Sequence, residues 1–433
     1  MRIGIARSLA SSVSGGVFQY EIVFLRALGE LAAHFPEELV YLCYHPTDLS
    51  TLVSAGGLNY SGIPVVPVGK PATEQAPPET YLAQKPVTPP PLDPHDVKFN
   101  YAGGDAIRQA GVELLLLLSP NLPPFSFRLP FVVPIFDLNH RLQPDFPEVS
   151  AYGEANGREH LYINTCRFAT FVLVDSEVGK SDVLRFYGDY IDEDRVRILP
   201  YYPPIKDRPL PGPQELARVR AKYNLPKRYF FYPAQFWPHK NHALIVQAIK
   251  LLADQTGEVV PVVFCGAYWT YIMASNFKEV MAQAANLGVG DRVRYLGSVP
   301  DEDMAALYTL SAGLVMPTFF GPTNIPPIEA WHFGRPVITS DIRGLREQNG
   351  DAGLLVDPRS PQALAEAMKR LWLDEAFSAE MVARGKRRLE SYSWKAFLDS
   401  VAEILSEAAE RVRAGRTPRF PDAGPAIATA MRA

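Results

Sequence analysis

The stretch Phe319-Phe320-Gly321-Pro322-Thr323-Asn324-Ile325-Pro326-Pro327-Ile328-Glu329 gathers residue types suited to holding an anion and a polyol. An apolar run from Gly313 to Met316 precedes it and reads as a buried strand. Ala330-Trp331-His332-Phe333 follows and reads as helix. A strand, a Gly/Pro turn and a helix start together make an anion site, because the first helical N–H groups lack internal partners. Proline carries no N–H. The free donors are therefore expected at Thr323, Asn324 and Ile325, with the Thr323 hydroxyl beside them. Glu329, in the first helical turn, is placed to meet ligand hydroxyls. The expected ligand is phosphorylated and carries a sugar.

Three other segments carry chemistry. Tyr232-Pro233-Ala234-Gln235-Phe236-Trp237-Pro238-His239-Lys240-Asn241-His242 follows a strand-like run, and Lys240 stands just before a helix. An ammonium there neutralises a diphosphate, with the helix N-terminus assisting. The plainer alternative is that Phe236 and Trp237 pack between domains and Lys240 is solvated. Asp137-Leu138-Asn139-His140-Arg141 also follows a strand, where ligands bind in open α/β sheets. Asp137 and His140 are candidates for sugar hydroxyls or a leaving phosphate, against a surface Asx-turn. Ser14-Gly15-Gly16 precedes the first helix. Its glycines allow close backbone approach to a ligand, against a simple turn, and the spacing is not that of the dinucleotide fingerprint G-x-G-x-x-G.

Metal chemistry is not expected. The triplet Asp301-Glu302-Asp303 falls where a helix should start and reads as a cap, and Asp192-Glu193-Asp194 falls in a polar turn. The eight histidines show no H-E-x-x-H pattern, and G-x-S-x-G is absent. Arg384, Lys386, Arg387 and Arg388 read as a solvated helix face, with an anionic membrane surface as the alternative. A net charge of −4 argues against general nucleic-acid binding. The three cysteines are far apart, which fits a reduced, cytosolic setting. The N-terminus has no secretory pattern. The most apolar run, Leu114 to Leu118, falls far short of the roughly 20 residues that span a bilayer. Peripheral contact with a membrane surface and the oligomeric state stay open.

These residues need a scaffold, and the chain supplies one twice. Strand-like and helix-like segments alternate from Arg2 to Tyr187, and again from Tyr229 to Leu371. Repeated β–α alternation with apolar strands predicts parallel sheets covered on both faces. The irregular, proline-rich Val196–Pro213 region holds the expected boundary, giving domains 1–205 and 206–395. The proline-dense segment 64–94 predicts an excursion without regular structure, either a surface loop or a lid. Residues 414–433 predict a disordered tail.

Taken together, Phe231–His242 and Phe320–Ala330 resemble the retaining nucleotide-sugar glycosyltransferases of the GT-B fold, family 4. Within that family, the Gln-Phe-Trp-Pro-His-Lys-Asn-His loop and the Phe-Gly-Pro-Thr-Asn-Ile-Pro-Pro turn are similar to those of bacterial mannosyl- and deoxyhexosyltransferases of surface polysaccharides. The resemblance implies two Rossmann-like doubly wound domains facing across a cleft, with donor nucleotide on the second and acceptor on the first. It also implies a C-terminal helix, 396–413, crossing back. The family's acidic signature is a Glu, seven residues, then a second Glu. Glu329 matches the second, which holds the ribose, while Gly321 stands where the first should be. The family's diphosphate-binding Arg is matched by Gln235, and its His-Asp pair by Phe136-Asp137, leaving His140 as the candidate substitute.

The resulting expectation is transfer of a hexose, from GDP-mannose or a related GDP-hexose, to a saccharide or lipid-linked saccharide. Lys240, Asp137 and His140 are the candidate catalytic residues. Gly15, Gly16, Gln235, Gly321, Thr323, Asn324, Ile325 and Glu329 are the candidate donor-binding residues, with no metal and no cofactor. A non-catalytic nucleotide-sugar binder, and a phosphorylase or epimerase on the same fold, are the competing readings.

Overall fold

The computed structural model describes residues 1–7, 16–43, 63–68, 86–120, 123–203, 205 and 208–421. Gly15, residues 69–85 of the proline-dense segment and residues 422–433 of the tail lie outside the described residues.

Among the described residues, seven strands build the first sheet: β1 (Arg2–Ala6), β2 (Glu38–Cys43), β3 (Val65–Pro67), β4 (Leu114–Leu117), β5 (Phe131–Pro134), β6 (Phe171–Val174) and β7 (Val196–Ile198). Their order is β3-β2-β1-β4-β5-β6-β7. Six more build the second: β8 (Phe230–Pro233), β9 (Val262–Cys265), β10 (Val293–Tyr295), β11 (Gly313–Met316), β12 (Val337–Ser340) and β13 (Leu354–Val356), in the order β10-β9-β8-β11-β12-β13. Every pairing is parallel. The central strands are short unbroken apolar runs buried on both faces, such as Leu114–Leu117 and Phe171–Val174. A parallel sheet covered by helices needs that pattern, because neither face meets water.

Strand order reverses beside β1 in the first sheet and beside β8 in the second. At such a reversal the outgoing loops diverge and leave a crevice at the carboxyl ends of the strands. The loops after β8 and β11, neighbours in the sheet through Leu314 and Phe231, carry Lys240 and the Gly321–Glu329 turn.

The helix Trp394–Arg413 returns from the second domain to the first. Phe397, Val401, Ile404, Leu405 and Ala408 recur at helical spacing and are buried. The helix docks on Gly16–Leu31, where the Arg26 guanidinium lies 4.2 Å from the Trp394 ring centroid and Glu30 accepts from the indole N–H at 2.9 Å. Arg411 pairs with Asp194 at 2.7 Å, and Arg197 with Glu407.

The structure corrects three expectations. Within the proline-dense segment, Val65–Pro67 is a strand, β3, paired with β2. It lies at the sheet edge, the position where a missing N–H is tolerated. Residues near Leu92 are also ordered, exchanging backbone bonds of 2.5 and 2.9 Å with the Asn156 side chain. The described part of the tail packs down: Phe420 stacks on Phe168 at 5.0 Å, and Arg128 donates to the Pro421 carbonyl at 2.7 Å. Asp303 does not cap its helix. It is fully buried and accepts from Arg218, Lys222 and Tyr223 at 2.6 to 2.7 Å, fixing Pro213–Lys222 to the second domain.

Candidate active site between the two sheets

Lys240 is held by its backbone. Its N–H donates to the Trp237 carbonyl at 2.9 Å, and its own carbonyl accepts from the Tyr232 hydroxyl at 2.9 Å. The next residue, Asn241, takes a left-handed conformation (φ 60°) that asparagine tolerates. Its side-chain amide donates to the Pro317 and Pro358 carbonyls at 2.9 and 2.8 Å, tying this loop to those after β11 and β13. Beneath it, His242 is buried and stacks on Phe236 at 4.1 Å. The Lys240 side chain is thereby fixed at its root. Among the described residues nothing accepts a hydrogen bond from its ammonium. Burial pushes that ammonium down to about 8, opposed by the negative charges of Asp137 and Glu148. A half-buried cation without an acceptor among the described residues, within electrostatic reach of Asp137 and Glu148 of the other domain, suits a phosphate group.

Glu329 lies on the helix Ile325–His332. The Tyr308 hydroxyl donates to its Oε2 at 2.6 Å, which fixes the carboxylate and leaves Oε1 for a ligand. Burial pushes this carboxyl up to about 7, with the Tyr308 bond opposing.

The turn between them is tighter than its sequence implies. Gly321 has φ 135°, and a Cβ there would fall 2.3 Å from the Asn324 side-chain nitrogen. Gly344 (φ 80°) lets the loop after β12 lie against the turn, since a Cβ there would fall 2.3 Å from the Pro322 carbonyl oxygen. Of the donors expected at 323–325, the Asn324 N–H and the Thr323 hydroxyl are engaged, while the Thr323 and Ile325 N–H groups have no acceptor among the described residues. The Asn324 N–H donates to Gln348 Oε1 at 2.9 Å, and the Asn324 carbonyl accepts from Gln348 Nε2 at 2.6 Å. The Thr323 hydroxyl bonds Asp175, at the end of β6. Ile325 instead meets the first domain: a Cβ on Gly16 would touch its Cδ1 at 3.4 Å. Gly16 and the turn therefore face each other across the cleft. Gln235 accepts from the Trp237 indole N–H at 2.9 Å.

Asp137 stays at the cleft. It lines a crevice with Phe136, Gly179, Asp182, Phe320 and Pro322. Its carboxylate caps the Asn139 N–H at 3.0 Å and accepts from Arg158 at 2.9 Å. His140 does not join it. The helical turn Asn139–Leu142 swings the imidazole inward, where it is buried and its Nε2 bonds Glu159 at 2.8 Å and Tyr187 at 3.0 Å. The expectation that His140 takes the place of a cleft histidine is corrected by this packing.

Sequence reasoning missed three residues here. Glu148, on the first domain, accepts at Oε1 from the His239 backbone N–H (3.0 Å) and ring Nδ1 (2.6 Å). Asp182 pairs with Arg343 at 2.8 Å, and Asp175 meets Thr323. Each bridges the two domains, and a sequence pattern carries no signal for contacts between such distant positions. The charged residue next to a strand end, Asp175, was the one with a readable position.

Residues 214–388 match the family described as Glycosyl transferases group 1. The chain is 29% identical over 233 residues to the O-antigen chain mannosyltransferase B of Escherichia coli, covering 52% of this chain and 58% of that protein. It is 32% identical over 213 residues to a D-rhamnosyltransferase of Pseudomonas aeruginosa, covering 48% and 51%. The chain thus spans between half and three-fifths of the length of these two relatives. A glycosyltransferase structure from Rickettsia africae superposes with a TM-score of 0.65 over 94% of this chain and 98% of that one, at 16% identity, which shows a shared fold. Residues 214–388 of this chain thus match the group 1 glycosyltransferases, and its two parallel sheets share the GT-B fold of the solved glycosyltransferase.

Proposed function

We propose that this protein is a retaining hexosyltransferase. It moves a hexose from a nucleoside diphosphate sugar, GDP-mannose or a related GDP-hexose, to a saccharide or lipid-linked saccharide during surface polysaccharide synthesis in the cytoplasm. The observation that carries the reading is Lys240, a half-buried ammonium without an acceptor among the described residues, held at the switch point beside Glu329. The mannosyl and rhamnosyl relatives support the choice of donor.

In the reaction the bond from the anomeric carbon to the β-phosphate oxygen breaks. The acceptor oxygen bonds that carbon on the same face, and its proton passes to a phosphate oxygen of the departing diphosphate. Charge grows on the diphosphate as it leaves, so the protein's main contribution is electrostatic. Lys240 supplies it, Glu329 holds the ribose, and closure over the crevice excludes water. With that charge met by Lys240, the reaction is proposed to need no divalent cation; loss of turnover in chelator would contradict this. The deciding experiment is a panel of GDP- and UDP-hexoses screened for binding and transfer, with the anomeric configuration of the product read by NMR. An inverted product, or no nucleotide-sugar binding, overturns the proposal.

A second reading, a nucleotide-sugar binder without transfer, is favoured by Gly321 and by the engagement of Gln235 with Trp237. Donor binding with no transfer to any saccharide acceptor would select it.

A further inference from the structure

The most unusual group in the cleft is one the reaction above does not use. Glu148 comes from the short helix Pro147–Ser150 after β5, and its side chain is only 5% exposed. One oxygen, Oε1, takes both bonds from His239. The other, Oε2, is buried and has no hydrogen-bond partner. A buried carboxylate oxygen left unpaired is costly, and such groups in folded proteins call for an explanation.

A purely mechanical clamp between domains would need only Oε1. The surroundings say what Oε2 awaits. His239 belongs to the loop that carries Lys240, and its carbonyl accepts from the Phe319 N–H at 2.8 Å and from the Thr318 hydroxyl at 3.2 Å. Glu148 is thus fixed to the root of both donor-side loops. Its charge is near enough to raise the Lys240 ammonium against burial. The bonds from His239 hold the Glu148 carboxyl below its ordinary range in spite of burial, so it is ionised at neutral pH. An ionised carboxylate only accepts hydrogen bonds. It would repel a phosphate, and on the reading above the nearby Lys240 ammonium is taken up by that phosphate, so the partner left for Oε2 is a neutral donor close to the lysine. In a nucleotide sugar that describes a hydroxyl of the hexose. The second domain offers no carboxylate at Gly321, whose φ of 135° disfavours any side chain.

We infer that Glu148 is a donor-sugar-binding residue whose Oε2 accepts a hydroxyl of the transferred hexose. The inference rests on the transferase reading above. It also makes sugar recognition a property of the closed molecule, because the acid arrives from the domain opposite the diphosphate.

Calorimetry on the full chain tests it, with GDP-mannose, GDP and singly deoxygenated GDP-mannoses, or the corresponding set for whichever donor the panel selects. Glu148→Gln is expected to weaken the sugar nucleotide at least tenfold and the bare diphosphate less than twofold. Wild type is expected to bind one deoxy donor about tenfold more weakly than the parent, a preference that vanishes in the variant. Should Glu148→Gln not fold, Glu148→Asp, which keeps the charge and withdraws the oxygen, is expected to show the same selective loss. Equal loss of sugar nucleotide and diphosphate would reduce Glu148 to a clamp and overturn the inference, as would no loss of either. Wild type that binds no nucleotide sugar fails the parent reading itself, and that result is distinct from wild-type binding that Glu148 does not influence.

Discussion

On the proposed function, two ionisable side chains set the working range of this site. Lys240 must be cationic to hold a diphosphate, and burial brings its ammonium down to about 8. Above that pH the free protein loses the charge. Glu329 must be ionised to accept from ribose hydroxyls, and burial brings its carboxyl up to about 7. Below that pH it is protonated. The kcat/KM for donor, which reports groups of the free enzyme, is therefore expected to rise through about pH 7 and fall above about pH 8. Glu329→Gln should remove the acid limb, and Lys240→Arg should move the alkaline limb beyond the measured range. Lys240→Ala should lower kcat by about 100-fold or more, the scale on which losing one preorganised charge-stabilising group is felt. A flat profile, or near-normal turnover in Lys240→Ala, would remove Lys240 from the site. Lys240 was legible because it stands just before a helix that follows a buried strand; Glu329 lies one turn further into its helix than its first-turn reading expected. His140 was not legible, because one helical turn after Asp137 decides whether its ring faces the cleft or Glu159, and the spacing is compatible with both.

The Phe319–Glu329 turn, taken as an element, is set by its shape as well as by the donors it leaves free. Gly321 at φ 135° and Gly344 at φ 80° allow the approach of Asn324 and Pro322. Gln348 then locks Asn324 through two bonds. Gly321→Ala should cost about 1–3 kcal/mol from the unfavourable backbone region. It should lower the melting temperature by several degrees and weaken donor binding with it. Gly321→Glu, which would restore the family's acidic pair, is expected to do no better, since the strain comes from the backbone. A Gly321→Glu variant with wild-type stability and faster transfer would disprove this account of the missing acid. The strand–turn–helix frame of the element was readable from apolar runs, prolines and the helix start. The fate of its donors was not. Thr323 bonds Asp175 on the other domain, and Asn324 bonds Gln348 on the later helix Leu345–Asn349. Long-range partners of this kind leave no local pattern. The same limit hid β3, a three-residue edge strand ending in proline.

At the scale of the whole molecule, the two domains meet through polar bridges at the cleft alongside apolar contacts, such as Phe146 against Phe319 at 5.4 Å. Glu148 meets His239, Asp175 meets Thr323, and Asp182 meets Arg343. Polar bridges of this kind can open and re-form, and the closure proposed above needs them to. The Asp182–Arg343 pair touches neither Lys240 nor Glu329, though Asp182 lines the crevice beside Asp137, so kcat and affinity together separate closure from chemistry. Its arginine is half-exposed while its aspartate is nearly buried. The exposed side limits the pair's own worth to about 0.2–1 kcal/mol. Reversing the charge adds repulsion and leaves Asp182 buried without a cation. Arg343→Glu should therefore shift the population toward an open form. Small-angle scattering without ligand should show a larger radius of gyration, and saturating donor should bring it back toward the wild-type value. Because only the closed fraction is competent, donor affinity should fall by roughly three- to tenfold, while kcat at saturation stays close to wild type. Adding Asp182→Lys to Arg343→Glu should restore the pair in reverse and recover both the radius and the affinity. If Arg343→Glu leaves the radius and the affinity unchanged, this bridge does not govern closure. If kcat falls in parallel with affinity, the bridge acts on the chemistry of the site and not on the population of the closed form.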